Sequence, residues 1–229
     1  MITLDGNQLT IAEVVAVARQ YETVQLSEEA IKKMQQSCQL VMDLLHSQKT
    51  VYGVNTGFGS LSSEKISEKD VNVLQINLLR SHACGIGEIL PTDVVRSMML
   101  LRANSLCKGY SGVRPQTVQL LLELLNRRIH PLVPRKGSIG ASGDLIPLAH
   151  IGLCLIGEGN VEYQRKQMSS KDAFSMANLS SLKLTAKEGL ALINGTQLMS
   201  ALGCLCCWDA DKLLKQAQSA GAMSLEALK

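Results

Sequence analysis

Apolar residues recur at steps of three or four along most of the chain, and this spacing predicts amphipathic helices. In one such run, which begins after Ser27, the apolar positions are Ile31, Met34, Cys38, Val41 and Leu45. Thr10-Ile-Ala-Glu13 and Thr185-Ala-Lys-Glu188 have the capping-box pattern of a helix start. Further starts are predicted at Ser67, Thr92 and Arg114-Pro115.

The longest predicted helix begins at Thr185 and runs to about Gln218, with Gly195 as a weak point in its interior. Extended pieces are short and are predicted at residues 50–55, 132–133 and 160–163. We therefore expect a mainly α fold with a few short β-strands.

The last residues, Ser224-Leu-Glu-Ala-Leu-Lys229, resemble the start of a further helix. The pattern is typical of a truncated chain or of a terminus that rests on another chain. It is equally typical of a frayed tail, so the sequence leaves both interpretations open.

Composition supports a helical protein, because the 229 residues include 36 leucines and only seven aromatic residues. At about 150 residues per domain, the chain makes one large domain or two small ones. The net charge is +3 and no run exceeds two basic residues, so we expect no nucleic acid and no membrane surface as a partner. The longest apolar stretches, 148–157 and 198–208, are shorter than the roughly 20 residues that span a bilayer.

Seven cysteines stand at irregular spacing, and the first residues do not resemble a signal peptide. This combination predicts reduced, mostly buried thiols in a cytoplasmic protein. Cys204-Leu-Cys-Cys207 lacks the CxxC spacing of a zinc site, and the four histidines show no ligand spacing, so we expect no metal.

Several common catalytic signatures are absent from the sequence. Gly140-Ala-Ser142-Gly-Asp144 is not a nucleophile elbow, which would need glycine in place of Asp144. The sequence holds no phosphate-binding Gly-Lys-Ser/Thr, and Gly57-Phe-Gly59 is not followed by the third glycine of a dinucleotide fingerprint.

After these exclusions, the segment from Gly137 to His150 is the remaining candidate for a catalytic motif. Its end resembles a helix start that Asp144 can cap. Before it, Ala141-Ser142-Gly143 carries only small side chains, which a tightly folded backbone needs. If the Gly143 nitrogen reached the Ala141 carbonyl carbon, a five-membered ring could close. Loss of water from the ring and from Ser142 would leave an electrophilic C=C bond. A plain Gly/Ser turn before a capped helix is the commoner alternative.

Gly140-Ala-Ser-Gly-Asp-Leu-Ile-Pro-Leu-Ala-His150 resembles the signature of the aromatic amino-acid ammonia-lyases, in which Ala-Ser-Gly cyclises to a methylidene-imidazolone (MIO). Three further segments resemble family motifs in the same order. They are Tyr52-Gly-Val-Asn-Thr-Gly-Phe-Gly59, Asn77-Leu-Leu-Arg-Ser-His-Ala-Cys-Gly85 and Gly189-Leu-Ala-Leu-Ile-Asn-Gly-Thr196. The resemblance covers essentially the whole chain.

The resemblance implies roles for individual residues. Tyr52 would take the β-proton of the substrate, and Asn194 would hydrogen-bond the MIO region and help to hold the substrate. Ser81-His82 resembles the histidine branch of the family, in which His82 would contact the substrate imidazole. The implied reaction eliminates ammonia from L-histidine to give urocanate through an MIO formed from Ala141, Ser142 and Gly143, with no external cofactor.

Each of these residues also has a purely structural alternative when it is considered alone. Tyr52 could fill a turn, His82 could be a satisfied helix histidine, and Asn194 could pair locally. Asp144 is predicted as a helix cap under either interpretation, and His150 is expected to support the site through a hydrogen bond at most.

By the resemblance, family members are about twice as long and form homotetramers whose active sites combine several subunits. Residues 1–190 would then be an N-terminal domain and residues 191–229 the start of a long-helix bundle. A chain of this length is expected to lack a complete site. The alternatives are another MIO lyase or aminomutase, a silent fragment that needs its C-terminal half, and a small-molecule binding module.

Overall fold

The structure is a computed structural model that describes residues 1–47, 50–57, 64, 66–140 and 142–228. Within these residues the helices are α1 (Ile11–Gln20), α2 (Glu28–His46), α3 (Glu68–His82), α4 (Thr92–Cys107), α5 (Pro115–Asn126), α6 (Leu145–Leu155), α7 (Ser170–Met176), α8 (Glu188–Ile193) and α9 (Gln197–Leu228). The strands are β1 (Ile2–Leu4), β2 (Val24–Leu26), β3 (Ile86–Ile89), β4 (His130–Pro131), β5 (Pro134–Lys136), β6 (Asn160–Tyr163) and β7 (Lys166–Ser169). The predicted mainly α fold with short strands is confirmed.

Helix α4 lies at the centre of the core and packs against α1, α5 and α9. Its Met98, Met99, Leu100 and Ala103 have no exposed surface, and the neighbouring apolar side chains join them in one continuous cluster. A helix that is apolar on every side must be covered on every side, which explains the central position of α4.

Two buried arginines of α4 bind the carboxyl ends of neighbouring helices. The Arg96 guanidinium donates to the carbonyl oxygens of Val17, in the last turn of α1, and Leu125, in the last turn of α5. Arg102 donates to the carbonyl oxygen of Ala191, in the last turn of α8. The last carbonyls of a helix lack partners within it, so α4 fixes the ends of three helices.

The strands form three small sheets at the edges of the helical core. Strands β1 and β2 pair in parallel, β3 pairs with β5, and β4, β6 and β7 form an antiparallel sheet. The predicted strand at 160–163 is confirmed as β6, whereas residues 132–133 lie between β4 and β5.

Residues 50–55 do not form the predicted extended piece, because local hydrogen bonds turn the backbone. The N–H groups of Val54 and Asn55 donate to the Val51 carbonyl, and the Asn55 side chain accepts from the Val51 N–H at 2.7 Å. Asparagine side chains commonly compete in this way with strand pairing.

The helix predicted from Thr185 to about Gln218 is two helices, α8 and α9, separated at residues 194–196. At Gly195 a Cβ atom would lie well inside van der Waals contact with the side chains of Gln197 and Arg102. Ser224 does not begin a new helix, because it lies within α9 and donates to the Ala220 carbonyl. The division into residues 1–190 and 191–229 stays a prediction.

Two expectations need correction, one about the burial of the cysteines and one about the length of the apolar stretches. All seven cysteines are free, but only Cys107 and Cys154 are buried, while Cys84, Cys206 and Cys207 are exposed. The segment Glu188–Leu228 also contains a window with mean hydropathy of 1.5, long and apolar enough to cross a membrane by length and composition alone. This is weak support for a span, since core helices meet the same criterion and 39% of the window is buried inside the structure.

Candidate active site

The loop that ends at Gly143 packs directly on the segment between α8 and α9. Gly143 has φ of +93°, and a Cβ atom there would overlap the Gly195 carbonyl oxygen. The N–H of Asp144 donates to the same oxygen at 2.6 Å. This backbone contact brings Ser142 and Gly143 beside Asn194 and Gly195, although the two motifs lie far apart in the sequence.

Asp144 links the same two segments through its side chain. One carboxylate oxygen accepts from the Ser138 hydroxyl at 2.7 Å, and the other accepts from the Met199 N–H at 3.0 Å. The predicted cap is therefore corrected, since Asp144 caps the first turn of α9 and makes no side-chain cap in its own helix, α6. Free N–H groups at the start of α9 favour a carboxylate at this point.

Arg102 lies beneath the junction between α8 and α9. In addition to the Ala191 carbonyl, its guanidinium donates to the Gln197 side-chain oxygen at 3.1 Å. Burial lowers the pKa of Arg102 to about 10, which still leaves it charged near neutral pH. The charge holds the carboxyl end of α8 and the first residue of α9, so it determines the path of residues 194–196.

The start of α8 is fixed by two buried polar side chains. The side-chain oxygen Oε1 of Gln75 accepts from the backbone N–H groups of Gly189 and Leu190. Glu188 has no exposed surface and accepts hydrogen bonds from Arg114 and Thr117. Burial alone would raise the pKa of Glu188, but these bonds outweigh it, so the pKa is lowered and the carboxylate is charged.

His82 lies in the last turn of α3, half-buried, with its imidazole oriented by its own helix. Its Nδ1 lies 2.9 Å from the Leu78 carbonyl oxygen. A carbonyl only accepts, so Nδ1 carries the proton and Nε2 is the acceptor of the neutral ring. Ser81, the other residue of the predicted pair, is exposed and its hydroxyl also donates to the Leu78 carbonyl.

His150 of α6 supports the turn that follows α3. Its Nε2 accepts from the N–H of Gly85 at 3.2 Å, and a Cβ at Gly85 would press on this ring nitrogen. Burial lowers the pKa of His150, so the neutral ring that can accept this bond is favoured. The contact ties the end of α3 to the helix that follows the Gly137–Gly143 loop.

Tyr52 lies on a turn with 59% of its surface exposed. The Gly53 N–H donates to the Thr56 hydroxyl, and Val54 packs in a small apolar cluster with Val71 of α3 and Ala186. The turn is thereby joined to α3 and to the segment before α8.

The predicted site residues therefore fall into three groups. Ser142, Gly143 and Asn194 lie together, and Ser142 and Asn194 are exposed. His82 lies on α3, which packs against α6 and α8, and Tyr52 lies on the turn that packs against α3. Ala141 lies outside the described residues, as do Phe58 and Gly59 of the tyrosine motif.

Comparison with known proteins identifies the family. The profile described as aromatic amino acid lyase matches residues 9–229. This chain belongs to that family. It is 48% identical to a histidine ammonia-lyase from Alkaliphilus metalliredigens over 226 residues, which are 99% of this chain and 45% of that protein. The chain thus spans about half the length of the curated relatives it matches.

Solved structures of the family have the same fold. The histidine ammonia-lyase from Trypanosoma cruzi superposes with a TM-score of 0.82 at 37% identity, over 89% of this chain and 39% of that one. The tyrosine aminomutase from Streptomyces globisporus gives a TM-score of 0.84 at 37% identity, over 89% and 38%. The fold is therefore shared by lyases and aminomutases of the family.

Sequence reasoning missed several residues that position the motifs of this family member. Arg102 and Gln75 act on the ends of α8, and Ser138 holds Asp144. Only Arg102 could have been recognised from the sequence, because an arginine within the apolar run of α4 must find a partner inside the core. Gln75 and Ser138 occupy positions where polar residues are ordinary.

Proposed function

We propose that this chain forms the MIO-bearing part of a histidine ammonia-lyase, which eliminates ammonia from L-histidine to give urocanate. The observation that carries the proposal is the packing of the Gly143-Asp144 backbone on Gly195, which supports a common site for two family motifs. The curated relatives named histidine ammonia-lyase, at 48–50% identity, favour this branch. Among solved structures, the histidine ammonia-lyase from Trypanosoma cruzi and the tyrosine aminomutase are both 37% identical to this chain.

The residues at the loop fit ring formation from Ala141, Ser142 and Gly143. Gly143 has the left-handed backbone and the missing side chain that a close approach of its nitrogen to the Ala141 carbonyl carbon requires. Closure forms an N–C bond and releases the carbonyl oxygen as water, and Ser142 loses its hydroxyl and α-hydrogen as a second water. When present, the MIO supplies an electrophilic alkene to the substrate amine.

The side chains around the loop have complementary tasks in the proposal. Because Nδ1 of His82 is bound to its own helix, Nε2 accepts the N–H of the substrate imidazole. Tyr52 accepts the β-proton as general base, and the exposed Asn194 amide donates to the ring region and to the bound substrate. No metal and no external cofactor enters this scheme.

The exposure of Ser142, Asn194 and Tyr52 supports a site that further protein completes. Chemistry of this kind needs a water-excluding pocket, and an open surface does not provide one. We propose that the remaining length seen in the relatives, together with other copies in a cytoplasmic homotetramer, covers these residues. The 229-residue chain alone is then expected to release ammonia from histidine slowly or not at all.

Intact mass and the near-ultraviolet spectrum of the purified chain test the proposal without a complete site. The expected mass is lower than that of the sequence by two water molecules. Ser142→Ala should restore the mass of an uncyclised chain, because no β-hydroxyl remains to leave. Ser200→Ala, at an exposed position in α9, is the matched control and should keep the loss of two waters.

If the wild type and both variants all have the full mass of their sequences, the chain carries no MIO and the proposal is wrong. The substrate branch is tested separately in a protein of the relatives' full length that contains this chain. Histidine, tyrosine and phenylalanine are compared for ammonia release and for β-amino products. Preferred turnover of tyrosine, or a β-amino product, would assign the chain to another branch.

A further inference from the structure

A cavity of about 460 Å³ lies away from the motifs described above. It opens between the turn after α1, the end of α5 and the hairpin of β6 and β7. The residues that matter for its chemistry are Tyr21, Arg127, Arg128, His130, Glu162 and Arg165. This volume is in the range of small-molecule sites, roughly 300–1,000 Å³.

His130 lies in the wall of this cavity and has an unpaired hydrogen-bond donor. The side chain is 5% exposed, and its Nε2 lies 3.0 Å from the Arg96 guanidinium. A guanidinium only donates, so Nε2 accepts and the neutral ring carries its proton on Nδ1. Burial, with Arg96 and Arg128 nearby, lowers the pKa of His130 to about 4 and keeps it neutral. Nδ1 has no hydrogen-bond partner among the described residues and almost no surface exposed to solvent, and the Glu162 carboxylate is 3.8 Å away.

The positive charge around His130 exceeds the negative charge. Arg96 is 1% exposed, and its described hydrogen-bond partners are two carbonyl oxygens and His130, not a carboxylate. Arg96 and Arg128 both lie on the Tyr21 ring, with guanidinium carbons 4.3 and 4.7 Å from its centroid. Arg165 adds one positive charge at the rim and Glu162 adds one negative charge. The Arg127 guanidinium is paired with the Glu123 carboxylate at 2.7 Å and does not add to the excess.

The backbone at the rim adopts a conformation that side chains disfavour. Six non-glycine residues have positive φ in the described part of the chain, and four of them line this cavity: Tyr21, Arg128, Gln164 and Arg165. Strained residues persist where the surrounding structure holds them, often at binding sites. Gln164 and Arg165 form the two-residue turn between β6 and β7, and Tyr21 is the left-handed cap of α1, both places where positive φ is usual. Arg128 and Arg165 both line the cavity.

We propose that this cavity binds the phosphate group of a small phosphorylated metabolite. The guanidinium groups of Arg128 and Arg165 supply donors for the three terminal oxygens, which a phosphate ester has and a carboxylate lacks. The Nδ1–H of His130 lies unpaired in the wall behind them. The cavity is much larger than a phosphate ion, so the organic part of the ester lies against Tyr163 at its wall. None of these residues belongs to the proposed lyase site.

The test follows the His130 ring nitrogens by NMR in the 229-residue chain labelled with ¹⁵N-histidine. Inorganic phosphate, adenosine 5′-monophosphate and adenosine are added separately at constant ionic strength and neutral pH. We expect the nucleotide to shift Nδ1 saturably, inorganic phosphate to do so more weakly, and adenosine to have no effect. The double variant Arg128→Gln/Arg165→Gln should weaken nucleotide binding by about tenfold or more, since two charge-assisted contacts are lost.

Arg135→Gln is the matched control, because it removes one exposed arginine charge outside the cavity and should change binding less than twofold. No saturation by either phosphate compound below about 10 mM would overturn the proposal. Equal affinity of the double variant and the wild type would do the same. If inorganic phosphate binds as tightly as the nucleotide, the assignment to an ester is wrong. An Nδ1 signal that responds to Glu162→Gln and to no phosphate compound would show that Glu162 is its partner.

Discussion

Gly143 and Gly140 share a left-handed backbone but differ in their surroundings. Their φ angles are +93° and +71°. Among the described residues, a Cβ at Gly143 would overlap the Gly195 carbonyl, whereas a Cβ at Gly140 would meet no atom within 4 Å apart from its chain neighbours. A side chain at Gly140 therefore meets only the conformational penalty of positive φ. One at Gly143 must also displace the backbone that joins α8 to α9.

We expect Gly143→Ala to lower the free energy of unfolding by about 3 kcal/mol, and Gly140→Ala by about 1 kcal/mol. Urea unfolding measures both values. Gly143→Ala should in addition abolish the loss of two waters in the intact mass. Equal destabilisation by the two substitutions would contradict the packing of Gly143 on Gly195.

At the scale of elements, the junction of α8 and α9 depends on Arg102. We expect Arg102→Met to cost about 3 kcal/mol, because the Ala191 carbonyl and the Gln197 side chain lose a buried charged donor. Hydrogen exchange should accelerate at residues 194–199 before other helices respond. Arg135→Met, at an exposed arginine of β5, is the control and should change stability by less than about 0.5 kcal/mol.

The same elements show what the sequence could predict. The starts of α1 and α2 depend on hydrogen bonds that Thr10 and Ser27 make within three residues, so a local pattern identifies them. The break between α8 and α9 depends on Arg102, and the first turn of α9 depends on Asp144. Such partners lie tens of residues away in the chain, and periodicity carries no information about them.

The candidate site has the same limit. The motifs predict Gly143 and Asn194 as members of one site, but they do not predict the hydrogen bonds of Asp144 to Ser138 and Met199. The tautomer of His82 also follows only from the position of the Leu78 carbonyl. Residue types were therefore accessible from sequence, whereas the contacts that orient them required the fold.

At the scale of the whole molecule, the far part of α9 is long, apolar and uncovered. Leu213, Leu214, Met223 and Leu225 are each at least half exposed. Exposed apolar side chains on a helix of this length are typical of an interface, because isolated chains rarely leave so much apolar surface in water.

We expect the chain to self-associate in solution through this surface. Leu213→Lys/Leu214→Lys should reduce association measured by sedimentation equilibrium and leave the thermal unfolding temperature of the remaining core nearly unchanged. Gln216→Lys/Gln218→Lys adds the same charge to exposed polar positions of α9 and serves as the control. Identical association of both variants and the wild type would assign the contact to another surface.

The packing of Gly143 on Gly195 also sets an order of events during protein synthesis. A ribosome releases the chain from its N-terminus, so the loop emerges before the carbonyl on which it packs and before the helix turn that holds Asp144. Any reaction that needs the packed loop must wait until α9 has begun to leave the ribosome. The proposed ring closure at Ser142 would then follow translation of this region, and a nascent chain stalled before Gly195 should carry an unreacted serine.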